Sequence, residues 1–283
     1  MGYAPILGHT PFLLNFIGPC FNHENQLIKI AEPEAQVRNA ETIVEPMFSY
    51  HFFSRHGGVS SGRYASLNVS YGNGDTAANI VANRAIIKKR IGAGRLLSAH
   101  QVHGRRVYVD DGSEQADLRA GKYDALISNV PGTALLIQQA DCQAVLLYDP
   151  ERKAIGAVHN GWRGSVANII AETVAEMSTH FGTEPGDLQA FIGPSLGPCC
   201  AEFVNHRTEL PEDFGRFAVG DNHFDFWRIS QDQLIRAGVR EEAVVLPTVC
   251  TSCSDDYFSY RRAVRAGDPA CGRHGSVICL DPR

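Results

Sequence analysis

Cys142 and His159 stand at the edges of two adjacent apolar runs in QQADCQAVLLYDPERKAIGAVHNGWRG, and His103 closes the stretch LLSAHQVH. A thiolate and two imidazoles make a three-ligand set for a borderline-soft metal, leaving a fourth coordination position for water or substrate. The same residues have blander uses. Free cysteine is among the most buried residue types, and Cys142 with His159 would also serve as a metal-free nucleophile–base pair for a hydrolase. Zinc over copper is a chemical preference and not a reading of the residues, since imidazole and thiolate accept both Zn2+ and Cu2+ and copper often wins on raw affinity.

A rival cluster lies near the C-terminus. Cys250 and Cys253 form C-x2-C, and Cys271 and His274 form C-x2-H, the ligand pattern of a closed structural zinc site. The residues between them, SDDYFSYRRAVRAGDPA, carry aromatics and paired arginines and read as a functional loop. Cys199 and Cys200 are adjacent and read as two small buried residues.

Anion binding is the second chemistry on offer. Arg55 lies in the glycine-rich stretch SRHGGVS, which can bring backbone N–H groups toward an anion. Arg163 lies in GWRG, at the start of a helix whose N-terminus favours negative charge. Arg261 lies in FSYRR. These three and Asn68 are the candidate phosphate- and substrate-binding residues. Asp141, directly before Cys142, is a candidate acid/base group whose alternative use is to cap a turn.

The elements that must position these residues are mostly strands. MFSYHFF begins with a β-like aromatic run and breaks into a Gly/Ser-rich loop. TAANIVANRAIIKKRIGA has apolar residues at helical spacing, and Gly92 suits its end. LLSAHQVHGRRVYVD reads as two strands around a turn at Gly104. DALISN, TALLIQQADCQAVLLYDP and AIGAVHNGWRG read as short strands. GSVANIIAETVAEMSTHFG reads as one amphipathic helix, QDQLIRAGV as a short one, and AVVLPTVCT and SVICLDP as strands. This irregular alternation predicts a mixed α+β sandwich rather than a doubly wound parallel sheet. Residues 1–45 read as an N-terminal extension of unknown role and residues 46–283 as one domain.

Composition narrows the function classes. The 283 residues are 44% hydrophobic and 20% charged, with a formal net charge of -5, so a basic surface for nucleic acid or an anionic membrane is not expected. The apolar run Phe12 to Ile17 has no basic segment before it and no cleavage site after it, and it is too short to span a bilayer. A cytoplasmic protein is expected, with its eight cysteines as thiols or metal ligands rather than disulfides.

Taken in order, SRHGGVSSGRYASLN, Asn83–Arg84, HQVHG, DALIS, ADC, AVHNGWRG, FIGPSLGPCC with EF, and YFSYRR closely resemble a known family. It was once called multicopper polyphenol oxidoreductase, or laccase-like, and is now described as purine nucleoside phosphorylases. The resemblance covers about Tyr50 to Leu280. It implies an α/β sandwich with a metal held by His103, Cys142 and His159. It further implies phosphorolysis of adenosine, inosine, guanosine and methylthioadenosine, with some adenosine deamination. Small-molecule nucleoside and phosphate are the expected partners, and a monomer or homodimer is expected. Relatives vary at the positions of Cys271 and His274, which weakens the rival zinc site. The segment RRAVRAGDPACGR is longer than the usual turn. The alternatives are a copper-dependent polyphenol oxidase, the metal-free Cys-His hydrolase, and a non-enzymatic zinc or partner-binding protein. Eleven histidines with no H-x-H pair argue against the oxidase.

Overall fold

Runs such as TALLIQQ and QAVLLYD are continuously apolar through their centres, with polar residues only at their ends, and every residue in them is buried. A strand with both faces covered has no polar side to alternate with. The computed structural model describes residues 47–282; the extension predicted at residues 1–45 lies outside that range. Two sheets are stacked. The first contains β1 (Phe48–Phe52), β2 (Arg95–His100), β4 (Leu118–Lys122), β6 (Thr133–Gln139) and β13 (His274–Leu280), in the order β1-β13-β6-β2-β4. The second contains β3 (Val107–Val109), β5 (Ala125–Ser128), β7 (Gln143–Asp149), β8 (Ala154–Asn160), β9 (Gln189–Ile192) and β12 (Val244–Val245), in the order β12-β9-β7-β8-β5-β3. A small ribbon pairs β10 (Ala218–Gly220) with β11 (His223–Phe224).

Side-chain alternation sorts these strands into layers. Ala144 and Leu146 of β7, Leu135 and Ile137 of β6, and Leu126, Ala157 and Ile278 meet between the sheets. Val145 and Leu147 point the other way, onto Ile170, Val174 and Met177 of a helix. On the outer face of the first sheet, Ala134, Leu136 and Val277 pack against Ile87 and Ile91. The result is helix, sheet, sheet, helix, the mixed α+β sandwich expected from the sequence. Leu146 is fully buried between the sheets, and truncating such a leucine to alanine costs roughly 2–5 kcal/mol.

The helices are α1 (Ala77–Ile91), α2 (Trp162–Val166), α3 (Ile169–Phe181), α4 (His206–Glu209), α5 (Phe226–Arg236) and α6 (Tyr260–Arg265). Helix α1 runs where its periodicity places it. The Thr76 side chain accepts the Asn79 N–H at its start, and Gly92 closes it with φ 69°. Two sequence readings need correction. The helix expected over GSVANIIAETVAEMSTHFG is two, because Asn168 adopts a left-handed φ of 53° and its side chain caps Ala171 N–H. A short polar side chain tolerates that conformation and restarts the helix. The strand expected over AVVLPTVCT is only the two-residue β12, followed by a single bridge from Cys250 to Ser195. Pro247 falls just after β12 and has no N–H to extend a ladder.

Candidate metal centre and cleft

Cys142 lies in the turn between β6 and β7, His159 near the end of β8, and His103 in the segment between β2 and β3. That last segment, read from sequence as a turn between two strands, crosses from one sheet to the other, so β2 and β3 are not paired. The crossing brings His103 over the end of β8. In the second sheet Ala144 pairs with His159, which sets Cys142 two residues from that rung. A turn, a crossing segment and the end of a strand therefore deliver the three side chains to one place.

The three donor atoms lie within 4.8 Å of one another. Cys142 Sγ is 3.8 Å from His103 Nε2, and the two imidazoles cross edge to face, with ring centroids 4.8 Å apart. Zinc at ordinary tetrahedral bond lengths spaces a nitrogen and a sulfur ligand by about 3.6 Å, so the spacing fits such an ion. Gly161 leaves room for them. A Cβ there would lie 3.0 Å from both Cys142 Sγ and His103 Cδ2.

Asp124, at the head of DALIS, organises the group. Its Oδ1 accepts the His159 Nδ1–H at 2.9 Å and the His103 backbone N–H at 2.8 Å. Its Oδ2 accepts the Gly104 N–H at 2.7 Å, and the Val102 N–H reaches the same carboxylate. One carboxylate thus ties the His103 turn, where His103 itself has φ 60°, to the ring of His159. Burial pushes the Asp124 carboxyl up, but the hydrogen bond and charge of His159 and the N–H groups of Gly104 and His103 outweigh it and hold it below the usual range. An ionised Asp124 takes the proton on Nδ1 and leaves His159 Nε2 as the nitrogen that could hold a metal, as in carboxylate–histidine–metal sites. The sequence analysis passed over Asp124. Its signal was an aspartate directly before a fully apolar run.

Without a cation, Cys142 and His159 push each other toward their charged forms. Burial raises the Cys142 thiol, yet the positive charge of His159 and the bonds from both histidines bring it down to about 6. Burial lowers His159, and the Cys142 thiolate together with Asp124 raises it to about 9. The donor set is therefore ready to exchange one proton for a metal ion.

The centre sits in a cleft of about 720 Å³, within the roughly 300–1,000 Å³ common for small-molecule sites. Tyr71, Trp162, Phe203, Phe226 and Tyr260 line it, as do Arg119, Arg163, Arg261 and Arg273. Arg163 lies over the Trp162 ring at 4.4 Å. The Arg261 side chain donates to the Glu202 carbonyl at 2.9 Å. Asp141 also faces the cleft, with its oxygens accepting from the Thr251 hydroxyl at 2.7 Å and the Arg261 N–H at 2.6 Å.

Two of the expected binding residues lie elsewhere. Arg55 bonds the Ala65 carbonyl and stacks on Phe258. Asn68 is fully buried and joins Asp75, Asn73 and the Arg273 backbone. Neither is among the residues lining the cleft. The rival site does not assemble either. Cys250 and Cys253 gather with Cys199 and Cys200, while His274 is buried in β13 with neither ring nitrogen hydrogen-bonded. Strand β13 carries His274 into the core opposite Gln139, away from the C-x2-C turn. Among the described residues no helix is long and apolar enough to cross a membrane.

Comparisons with known proteins agree with this architecture. A purine nucleoside phosphorylase of Bacteroides thetaiotaomicron is 33% identical over 232 residues, covering 76% of this chain and 86% of that protein. The purine nucleoside phosphorylase YfiH of Escherichia coli is 34% identical over 239 residues, covering 80% and 91%. The crystal structure of YlmD from Geobacillus stearothermophilus superposes with a TM-score of 0.75 at 26% identity, over 83% of this chain and 92% of that one. Residues 49–281, nearly all of the sandwich described above, match the family described as multi-copper polyphenol oxidoreductase laccase, and the chain belongs to that family.

Proposed function

We infer that this protein is a metal-dependent purine nucleoside phosphorylase, converting a purine nucleoside and phosphate to the free base and ribose 1-phosphate. The observation that carries this reading is the meeting of His103, Cys142 and His159, braced by Asp124, in a cleft lined by aromatic rings and arginines. Relatives that bear the phosphorylase name support it.

Cleavage of an N-glycosidic bond puts positive charge on the ribose and negative charge on the departing purine. Phosphate must be held beside the sugar by groups fixed in advance. Arg163 and Arg261 are the proposed phosphate ligands, with Arg119 and Arg273 as further cations of the same cleft. Trp162, Phe203 and Phe226 offer faces on which a flat base stacks. Asp141 holds the first turn of α6 through the Arg261 N–H, so it fixes where that arginine starts. The donor set His103, Cys142 and His159 would hold zinc, or copper, which when bound supplies a Lewis acid with one coordination position open. Adenosine deamination is the proposed side reaction, with the Asp141 carboxylate as its proton carrier.

A second reading is favoured by one observation. Cys142 Sγ and a His159 ring nitrogen lie within 4.8 Å of each other, a juxtaposition that a metal-free nucleophile–base pair of a hydrolase also uses. One experiment separates the two. The purified protein is incubated with adenosine and phosphate, adenine and ribose 1-phosphate are measured, and metal content is determined for wild type and Cys142→Ala. The phosphorylase reading expects product from wild type and, in the variant, the loss of turnover and of the one metal equivalent held by His103, Cys142 and His159. Adenine formed with free ribose in place of ribose 1-phosphate by metal-free wild type would overturn it in favour of the hydrolase.

A further inference from the structure

Four cysteines gather outside the centre described above. The sulfurs of Cys199, Cys200, Cys250 and Cys253 lie within 4.8 Å of one another. Cys253 Sγ is 3.5 Å from Cys200 Sγ and 3.7 Å from Cys199 Sγ. Four thiolates bound to one zinc at about 2.3 Å in a tetrahedron stand about 3.8 Å apart. The measured separations are already close to that value.

The backbone supports the grouping. Two tight turns face each other. In one, the Cys200 N–H bonds the Gly197 carbonyl at 2.9 Å; in the other, the Cys253 N–H bonds the Cys250 carbonyl at 3.2 Å. A bridge between Ser195 and Cys250 clamps the two loops, with the Thr251 N–H on the Ser195 carbonyl at 2.9 Å. Gly197 permits the approach, since a Cβ there would lie 2.9 Å from Cys250 Cβ. The Gly197 N–H points at Cys250 Sγ at 3.2 Å, and Arg265 reaches Cys200 Sγ at 3.9 Å. Donors of this kind stabilise thiolates around a cation.

We propose that Cys199, Cys200, Cys250 and Cys253 form a second metal site, a tetrathiolate for zinc, that is available only in the reduced protein. Cys253 is disulfide-bonded in this structure. A dithiol reductant transfers two electrons to that disulfide, giving two thiols and becoming a cyclic disulfide itself. Zn2+ then displaces the protons of four thiols, releasing four protons to solvent. Cys199 and Cys253 are exposed, so reductant and ion reach the cluster from outside. The site has a route to the cleft. Thr251, inside the C-x2-C turn, donates to Asp141, the neighbour of Cys142, and the Leu196 N–H bonds the Asp141 carbonyl at 2.9 Å. Closing the cluster on a metal stiffens the two loops that grip Asp141.

The test uses the full chain, stripped with chelator, then loaded with zinc, desalted and analysed for metal and free thiols. Reduced wild type is expected to bind a second equivalent that oxidised wild type lacks. Cys253→Ser and Cys199→Ser are expected to lose that equivalent, and reduced Cys142→Ala to retain it. Both serines replace exposed residues, so failure to fold is not the expected result. Cobalt in reduced Cys142→Ala is expected to show strong thiolate charge-transfer absorption that Cys142→Ala/Cys253→Ser lacks. A single equivalent in reduced wild type that disappears in Cys142→Ala would overturn the proposal. So would a second equivalent that survives both serine variants.

Discussion

Replacing Asp124 with asparagine tests the arrangement around the metal centre most directly. The carboxylate accepts at both oxygens, from His159 and His103 at Oδ1 and from Gly104 at Oδ2, with the Val102 N–H alongside. Asparagine keeps the shape but has a single acceptor oxygen. Whichever way the amide is turned, its NH2 faces a backbone N–H of the His103 turn or the Nδ1–H of His159. At least one charge-assisted bond, worth roughly 1.5–3 kcal/mol, is lost. Either His103 loses its anchored turn or His159 loses the partner that fixes its tautomer. Loss of such a partner lowers metal affinity roughly 10–100-fold, equivalent to about 1.4–2.7 kcal/mol, the same range as the bond itself. Zinc affinity measured by chelator competition at constant pH, with thermal unfolding of the stripped protein, supplies the assay. A zinc Kd within twofold of wild type would refute the assignment of Asp124 as the group that positions both histidines.

Other outcomes follow from single contacts. Gly161→Ala is compatible with the local backbone, φ −76°, but its methyl would press on Cys142 Sγ and His103 Cδ2. Zinc affinity is expected to fall roughly tenfold or more, with unfolding stability changed by about 1 kcal/mol or less; a stability loss without a change in affinity would contradict the crowding account. His274 is pulled by burial, then by the charge of Arg273, from 6.5 to about 3. Between those values the unfolded chain binds a proton that the folded chain refuses, so stability falls as pH drops. The loss from this residue is roughly 2 kcal/mol between pH 7 and pH 5. Urea unfolding at both pH values should show that increment in wild type and not in His274→Phe, and a pH-independent difference between the two proteins would count against it.

Much of this molecule was legible from local pattern. The 3.6-residue spacing and caps marked α1, and the continuous apolar runs of β6, β7 and β8 marked strands buried on both faces, because burial is imprinted residue by residue. The motifs also pointed to His103, Cys142 and His159, the three side chains that meet in the cleft. Other features depended on pairing across long separations, which local spacing does not record. The Gly104 turn passes between sheets because β3 finds β5 as its partner, and only that crossing lifts His103 over the end of β8. Asp124 looks like an ordinary turn aspartate until its carboxylate meets a loop twenty residues earlier and a ring on the neighbouring strand. Arg55 looked like a phosphate ligand in its glycine-rich loop, yet the fold spends it on Ala65 and Phe258. The cysteines were regrouped in the same way. C-x2-C joined the vicinal pair rather than Cys271 and His274, since a bridge from Ser195 to Cys250 draws two distant loops together while β13 carries His274 into the core.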